Sequence, residues 1–120
     1  MNNLVLLESP YAGDIEANLS YARACMHDCL LRGEFPFASH LLYTQEGILD
    51  DTIPSERTLG INAGFAWGSL ASKTVCYTDF GITKGMYLGL LDANDSKRPI
   101  EFRKLYGNGE CMLENIEKDL

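Results

Sequence analysis

Asp79, Gly81, Thr83 and Gly85 are the residues whose types and spacing best suit binding chemistry. They lie in the stretch Val75-Cys76-Tyr77-Thr78-Asp79-Phe80-Gly81-Ile82-Thr83-Lys84-Gly85-Met86-Tyr87. That stretch reads as a short apolar strand, a polar turn and a helix beginning between Thr83 and Gly85. Asp79 puts a carboxylate at the strand's end, Thr83 suits a helix N-cap, and Gly81 and Gly85 let backbone come close to a bound molecule. A helix N-terminus placed there offers unpaired N–H groups and partial positive charge to an anion. In open α/β sheets, small ligands bind in the crevice beyond the carboxyl ends of the strands. An ordinary strand-to-helix turn accounts for the same residues, and both readings stand.

Other polar residues fall at the ends of apolar runs. Ser9 and Pro10 close the run Leu4–Leu7, and Tyr11-Ala12-Gly13 follows as a loop. Asp14 reads as a helix cap in preference to a polar group serving a site. Ser39 and His40 come just after a second short strand. A histidine there acts as ligand donor or acid–base group, or it caps the next helix. Asp50-Asp51 reads as a pair of local hydrogen-bond acceptors in a turn, not a metal site. The four cysteines show no zinc spacing. Cys25 and Cys29 share one face of a helix and read as buried, reduced thiols. No metal and no cofactor is expected.

A chain of 120 residues is long enough for one domain with a core that needs no disulfides. Its net charge of −7 argues against a nucleic-acid polymer as partner, yet leaves room for one small anion at a locally favourable site. No apolar run reaches the roughly 18 residues of a membrane span. The first residues lack a basic segment and a signal-peptide pattern, so a cytoplasmic location is expected.

The elements that must position these residues alternate. Leu4–Leu7 suits a strand buried on both faces. A helix runs from Asp14 to about Leu31, with Gly33 as its stop. Residues 34–38 form a strand whose Pro36 predicts a sheet edge, and a helical turn covers 41–45. Ser55 is the expected N-cap of a third helix that ends near Leu70. In that helix Trp67 reads as core, and Gly60, Gly64 and Gly68 allow close packing. Thr74–Tyr77 is the third strand, the helix after it ends at residues 94–96, and 99–103 is the fourth. Gly107-Asn108-Gly109 suggests a turn, and 111–118 a terminal helix or tail. The pattern predicts an α/β fold, a small Rossmann-like three-layer sandwich with a mainly parallel sheet of four to five strands. One domain over 1–105 and a C-terminal extension over 106–120 are expected.

Several of these pieces, in this order, resemble the nucleoside 2-deoxyribosyltransferase-like superfamily, and within it a set of short bacterial and phage relatives. They are Ser9-Pro10-Tyr11-Ala12-Gly13 with Asn18 and Ala22, Pro36 with His40-Leu41-Leu42, Glu56-Arg57 with Gly60, and Asp79-Phe80-Gly81-Ile82-Thr83-Lys84-Gly85-Met86. The resemblance spans about residues 4–103. It implies a nucleoside or nucleotide pocket and homo-oligomers whose subunits help close it. The enzymes carry a catalytic glutamate in a Gly-Met-Glu-Leu-Gly type motif, which attacks the anomeric carbon as the base departs. Here the matching residues are Gly85-Met86-Tyr87-Leu88-Gly89, so Tyr87 holds the nucleophile's position. An acid of the preceding helix also has no counterpart around Gly64, whereas Asp79 matches a ligand-contacting acid.

A phenol with an ordinary pKa near 10 is a poor nucleophile at neutral pH. The leading expectation is therefore a nucleotide- or nucleoside-binding protein without turnover. It would sequester a nucleotide-derived signal, ADP-ribose-like or cyclic, as in phage anti-defence. Expected ligand-binding residues are Ser9, Pro10, Tyr11, Gly13, His40, Asp79, Gly81, Thr83, Gly85, Met86 and Tyr87. The alternatives are an active N-glycosidase or 2-deoxyribosyltransferase using Tyr87 or Asp79, and an interaction module that binds no nucleotide.

Overall fold

The computed structural model describes residues 2–106. They form β1 (Leu4–Glu8), α1 (Ile15–Leu31), β2 (Phe35–Phe37), α2 (Ser39–Leu42), α3 (Pro54–Gly68), β3 (Lys73–Tyr77), α4 (Lys84–Asp95) and β4 (Ile100–Arg103). The strands make one parallel sheet in the order β2-β1-β3-β4. β2 carries Pro36 at the edge, where a missing N–H disrupts no second ladder. The expected turn at 107–109, the segment 111–118, Cys111 and nearly all of the proposed C-terminal extension lie outside the described residues.

Strand alternation assigns the two faces. Val5, Leu7, Val75 and Tyr77 share a core with Tyr21, Cys25 and Cys29 of α1. Leu6 and Glu8 point the other way, against α3 and α4 (Gly68 meets Leu6 and Gly89 meets Glu8). The result is the expected three-layer α/β sandwich. α1 is capped by the Asp14 carboxylate, which accepts from the Ala17 N–H at 3.2 Å. It stops before Gly33, whose φ of +82° favours a residue without Cβ.

Three expectations change. α3 begins at Pro54 with Ile53 as its cap residue, not at Ser55, because proline's fixed φ suits the first helical position and needs no N–H there. Trp67 is not core. It is half exposed, stacks on Phe37 with ring centroids 5.3 Å apart and donates to the Tyr43 hydroxyl at 2.9 Å. Position 67 lies about 100° around the helix from Gly68. It is Gly68 that meets the sheet, so close that a Cβ would stand 2.7 Å from Leu6 Cδ2. The short helix after β2 also starts earlier, at Ser39.

A buried polar network ties α1, β3, β4 and the loop before β2 together. The Tyr77 hydroxyl donates to Asp28 Oδ2 at 2.6 Å, and Arg103 Nη1 donates to the Tyr77 oxygen at 3.1 Å. The Arg103 fork grips both Glu34 oxygens at 2.7 and 2.6 Å, while Lys73 pairs with Glu34 at 2.9 Å. Burial alone would raise the Glu34 pKa, but hydrogen bonds and charge from Arg103 and Lys73 outweigh it and hold the carboxyl near 2. With the folded-state pKa depressed, this contribution to stability is present above about pH 4.5 and is lost as pH falls towards 2. Glu34→Gln removes the bidentate carboxylate partner of the buried Arg103 guanidinium and leaves it a single carboxylate contact, to Glu101. Its expected cost is about 3 kcal/mol in urea unfolding at neutral pH, with the difference from wild type shrinking in acid.

Candidate functional site

β1 and β3 end side by side, and the chain leaves them through Ser9 and through the turn that leads into α4. Thr83 caps α4, its Oγ1 accepting from the Met86 N–H at 3.3 Å. The first turn of α4 therefore faces the carboxyl ends of the central strands. α3 closes the opposite wall, and α2 with Tyr43 and Thr44 closes the side. Between them lies a cavity of about 140 Å³ whose apolar walls include Leu6, Ile61, Phe65 and Met86. An apolar cavity of about 150 Å³ holds a benzene molecule, so this one is on the scale of a single ring system. A broader outer cleft of about 950 Å³ adjoins it, with Tyr11, Asp51, Glu56 and Arg57 lining both.

Of the residues singled out from sequence, Ser9, Tyr11, His40, Thr83, Gly85 and Met86 come together around the inner cavity. Gly13 lines the outer cleft instead. Ser9 Oγ and His40 Nε2 are 2.7 Å apart. Burial lowers the His40 pKa to about 4, so the imidazole is neutral at pH 7. Serine and neutral imidazole make a donor–acceptor pair whose direction follows the tautomer.

The other expected residues do not line the cavity. Pro10 is buried outside its lining. Asp79 is a staple: its carboxylate accepts from the Tyr21 hydroxyl and from the N–H groups of Leu105 and Tyr106, each at 2.8 Å. It thereby ties the β3–α4 turn to the chain after β4. Gly81 is exposed and serves the turn through its φ of +84°. Tyr87 is 55 % exposed and lies on the outer side of α4. The buried positions of that helix are Met86, Gly89 and Ala93, and residue 87 is about 200° around the axis from residue 89. The phenol at the motif's nucleophile position thus points away from the cavity.

Glu8, Arg57 and Lys84 are residues of this site to which sequence reasoning assigned no role. Glu8 ends β1 in phase with Leu6, and its carboxyl reaches the cavity floor beside α4. Burial pushes its pKa up to about 8, with Arg98 pulling it down and Asp92 pushing it further up. Arg98 itself is engaged elsewhere, with Asp92 at 2.9 Å, Thr74 Oγ1 at 2.9 Å and the Gly68 carbonyl at 3.0 Å. The available signal was an acid ending an otherwise apolar strand, two residues from an inward-facing leucine. Arg57 Nη1 lies 3.4 Å from Asp51, and its other terminal nitrogen lies against Gly85. Lys84 stands at the first position of α4.

This geometry defines a small α/β domain with a Rossmann-like parallel sheet and a cavity at the strands' carboxyl ends. The chain belongs to the family described as domain of unknown function DUF7768, which matches residues 3–103. No curated protein matches it. Among solved structures it is similar to the 2-deoxyribosyltransferase of the psychrotolerant bacterium Bacillus psychrosaccharolyticus, with a TM-score of 0.60 and 17 % identity. The match covers 88 % of this chain and 74 % of the transferase. At that identity the likeness establishes a shared fold. Among the described residues, no helix is long and apolar enough to cross a membrane.

Because the folded-state pKa of His40 is depressed, its contribution to stability is intact above about pH 6.5 and declines as pH falls towards 4. Imidazole NMR resonances of His40 are expected to hold their neutral-form positions at pH 6 and to move near pH 4. His40→Gln should flatten that part of the stability curve.

Proposed function

We propose that this chain binds a nucleoside or nucleotide, with the heteroaromatic ring in the inner cavity and the pentose and phosphate in the outer cleft. The observation that carries this reading is the cavity itself. It is of ring size and apolar-walled, and it adjoins a wider cleft that carries Thr44, Asp51, Glu56 and Arg57 among apolar residues, on a fold shared with a 2-deoxyribosyltransferase. Ser9 and His40 give it fixed hydrogen-bonding edges. Arg57, which lines both spaces, and Lys84 with the start of α4 on the inner cavity supply positive charge at the junction of the two, whereas the outer cleft also carries the carboxylates of Glu46, Asp50, Asp51 and Glu56.

The narrower form of the proposal is capture without turnover of a nucleotide-derived signal, ADP-ribose-like or cyclic, as a phage anti-defence protein would perform it. It is supported by the missing carboxylate at position 87 and by the outward direction of Tyr87. A second reading, turnover at an N-glycosidic bond, is favoured by one observation, the Glu8 carboxyl on the cavity floor. Thermal-shift measurements with nucleosides, nucleoside monophosphates, ADP-ribose and cyclic nucleotides, with analysis for released base, separate these readings. A binder at 100 times its Kd should stabilise the fold by about 2.7 kcal/mol. No shift with any of them would leave the interaction-module reading. Lys84→Ala is expected to weaken monophosphates about tenfold and to leave nucleosides unchanged.

We also propose that the protein works as a homo-oligomer. Phe80, Ile82, Tyr87, Leu88 and Leu91 are all exposed, on α4 and the turn before it. A second copy of this chain covering them would remove their apolar surface from water. Light scattering should give a mass above one chain, and Leu91→Glu combined with Tyr87→Glu should reduce it to one.

A further inference from the structure

Glu8 differs from the other acids that pack inside this fold. Asp28, Glu34, Asp79 and Asp92 each accept hydrogen bonds from named donors. Among the described residues, the Glu8 carboxyl accepts none. Its position is nevertheless built for. A Cβ at Gly89 would stand 2.3 Å from Glu8 Oε2 and 2.5 Å from its Cδ, so α4 carries a glycine where the carboxyl lies. That glycine costs helix propensity of about 1 kcal/mol, and a desolvated carboxyl without a partner costs more. Neither expense returns a hydrogen bond among the described residues, and the carboxyl lines the cavity. Such a group is an indicator of function where it sits in a cleft.

Its surroundings from every packed element are few. β3 presents the Cys76 thiol, α4 presents Asp92, and the segment after α4 presents Arg98, already bound to Asp92, Thr74 and Gly68. α3 lines the cavity with Ile61, Gly64 and Phe65 and with the charged pair Glu56 and Arg57, α2 lines it with His40, and α4 with Lys84.

We infer that Glu8 is the ligand-reading acid of this cavity: a neutral carboxyl that donates its hydrogen to an acceptor on the ring edge of a bound nucleoside and accepts from the neighbouring N–H of that edge. The inference rests on the nucleoside reading above and adds to it which end of the ligand enters first and what the protein demands of it. A neutral carboxyl presents one donor and one acceptor side by side, which is the complement of a base edge and not of a phosphate. Binding then holds the proton in place. An ionised carboxylate has nothing to donate, so affinity falls as pH rises past the carboxyl's pKa of about 8, which burial sets against the opposing pull of Arg98.

The test uses the full chain in three forms, wild type, Glu8→Gln and Glu8→Ala, titrated calorimetrically with adenosine, cytidine, AMP and CMP. Between about pH 6 and about pH 9 the wild type should lose about tenfold in affinity. Glutamine keeps a donor and an acceptor but does not titrate, so Glu8→Gln should bind comparably at the acid end and stay flat. Glu8→Ala should be weaker by about tenfold at the acid end of the range. The wild-type to Gln ratio at each pH cancels any titration of the probe. Because Gln occupies the same space, it carries the test even if the alanine variant unfolds. Parallel pH curves for wild type and Glu8→Gln, or undiminished binding by Glu8→Ala, overturn this inference and leave the nucleoside reading standing. Failure of all four probes to bind the wild type at any pH overturns both.

Discussion

The fold depends on how closely two helices approach one face of the sheet. α3 and α4 meet it through glycines: Gly68 over Leu6 and Gly89 over Glu8, while Gly64 receives Ser39 of α2. A Cβ at any of these would fall within 3 Å of its neighbour, so larger residues would push the helices outward. The approach decides what shape remains at the strands' carboxyl ends. Where helix and sheet close fully, the interior is dry and packed. Between α3, α2 and the first turn of α4, beyond the last strand residues, a ring-sized cavity is left with Glu8 in its lining.

The opposite face is stabilised differently. There α1 is joined to the sheet by an apolar core and by the chain of groups Asp28, Tyr77, Arg103, Glu34 and Lys73. Every acid in that chain has a counter-charge or a donor, which is why Glu34 is held well below its ordinary pKa. Glu8, on the cavity side, is pushed up towards 8. Two glutamates in one small domain are thus driven in opposite directions by the same variable, the presence or absence of donors around a desolvated carboxyl. The satisfied one holds the fold together, and the unsatisfied one faces the space where a ligand fits.

Tyr87 and Asp79 illustrate how position in a motif and position in space part company. The sequence resemblance leads to the expectation of Tyr87 at a nucleophile's position and of Asp79 at a ligand-contacting one. Helix phase turns Tyr87 outward, and hydrogen bonds commit Asp79 to Tyr21 of α1 and to two N–H groups of the chain after β4. A carboxyl comes to the cavity all the same, from β1, and Gly89 of the same motif makes room for it. The chemistry of the site therefore has to be read from which side chains share the cavity.

From residues alone, the alternation of strands and helices, the edge placement of Pro36, the Asp14 and Thr83 caps and the clustering of Ser9, His40 and the start of α4 were all legible. Each follows from local rules: proline lacks a donor, short polar side chains satisfy helix ends, and parallel strands deliver their carboxyl ends to one edge. The placement of the Glu8 carboxyl in the cavity, the exposure of Trp67 and the outward phenol of Tyr87 were settled only by tertiary packing. Those outcomes depend on distances between elements remote in sequence, Gly89 from Glu8 and Gly68 from Leu6, and no local pattern encodes how near two surfaces will come.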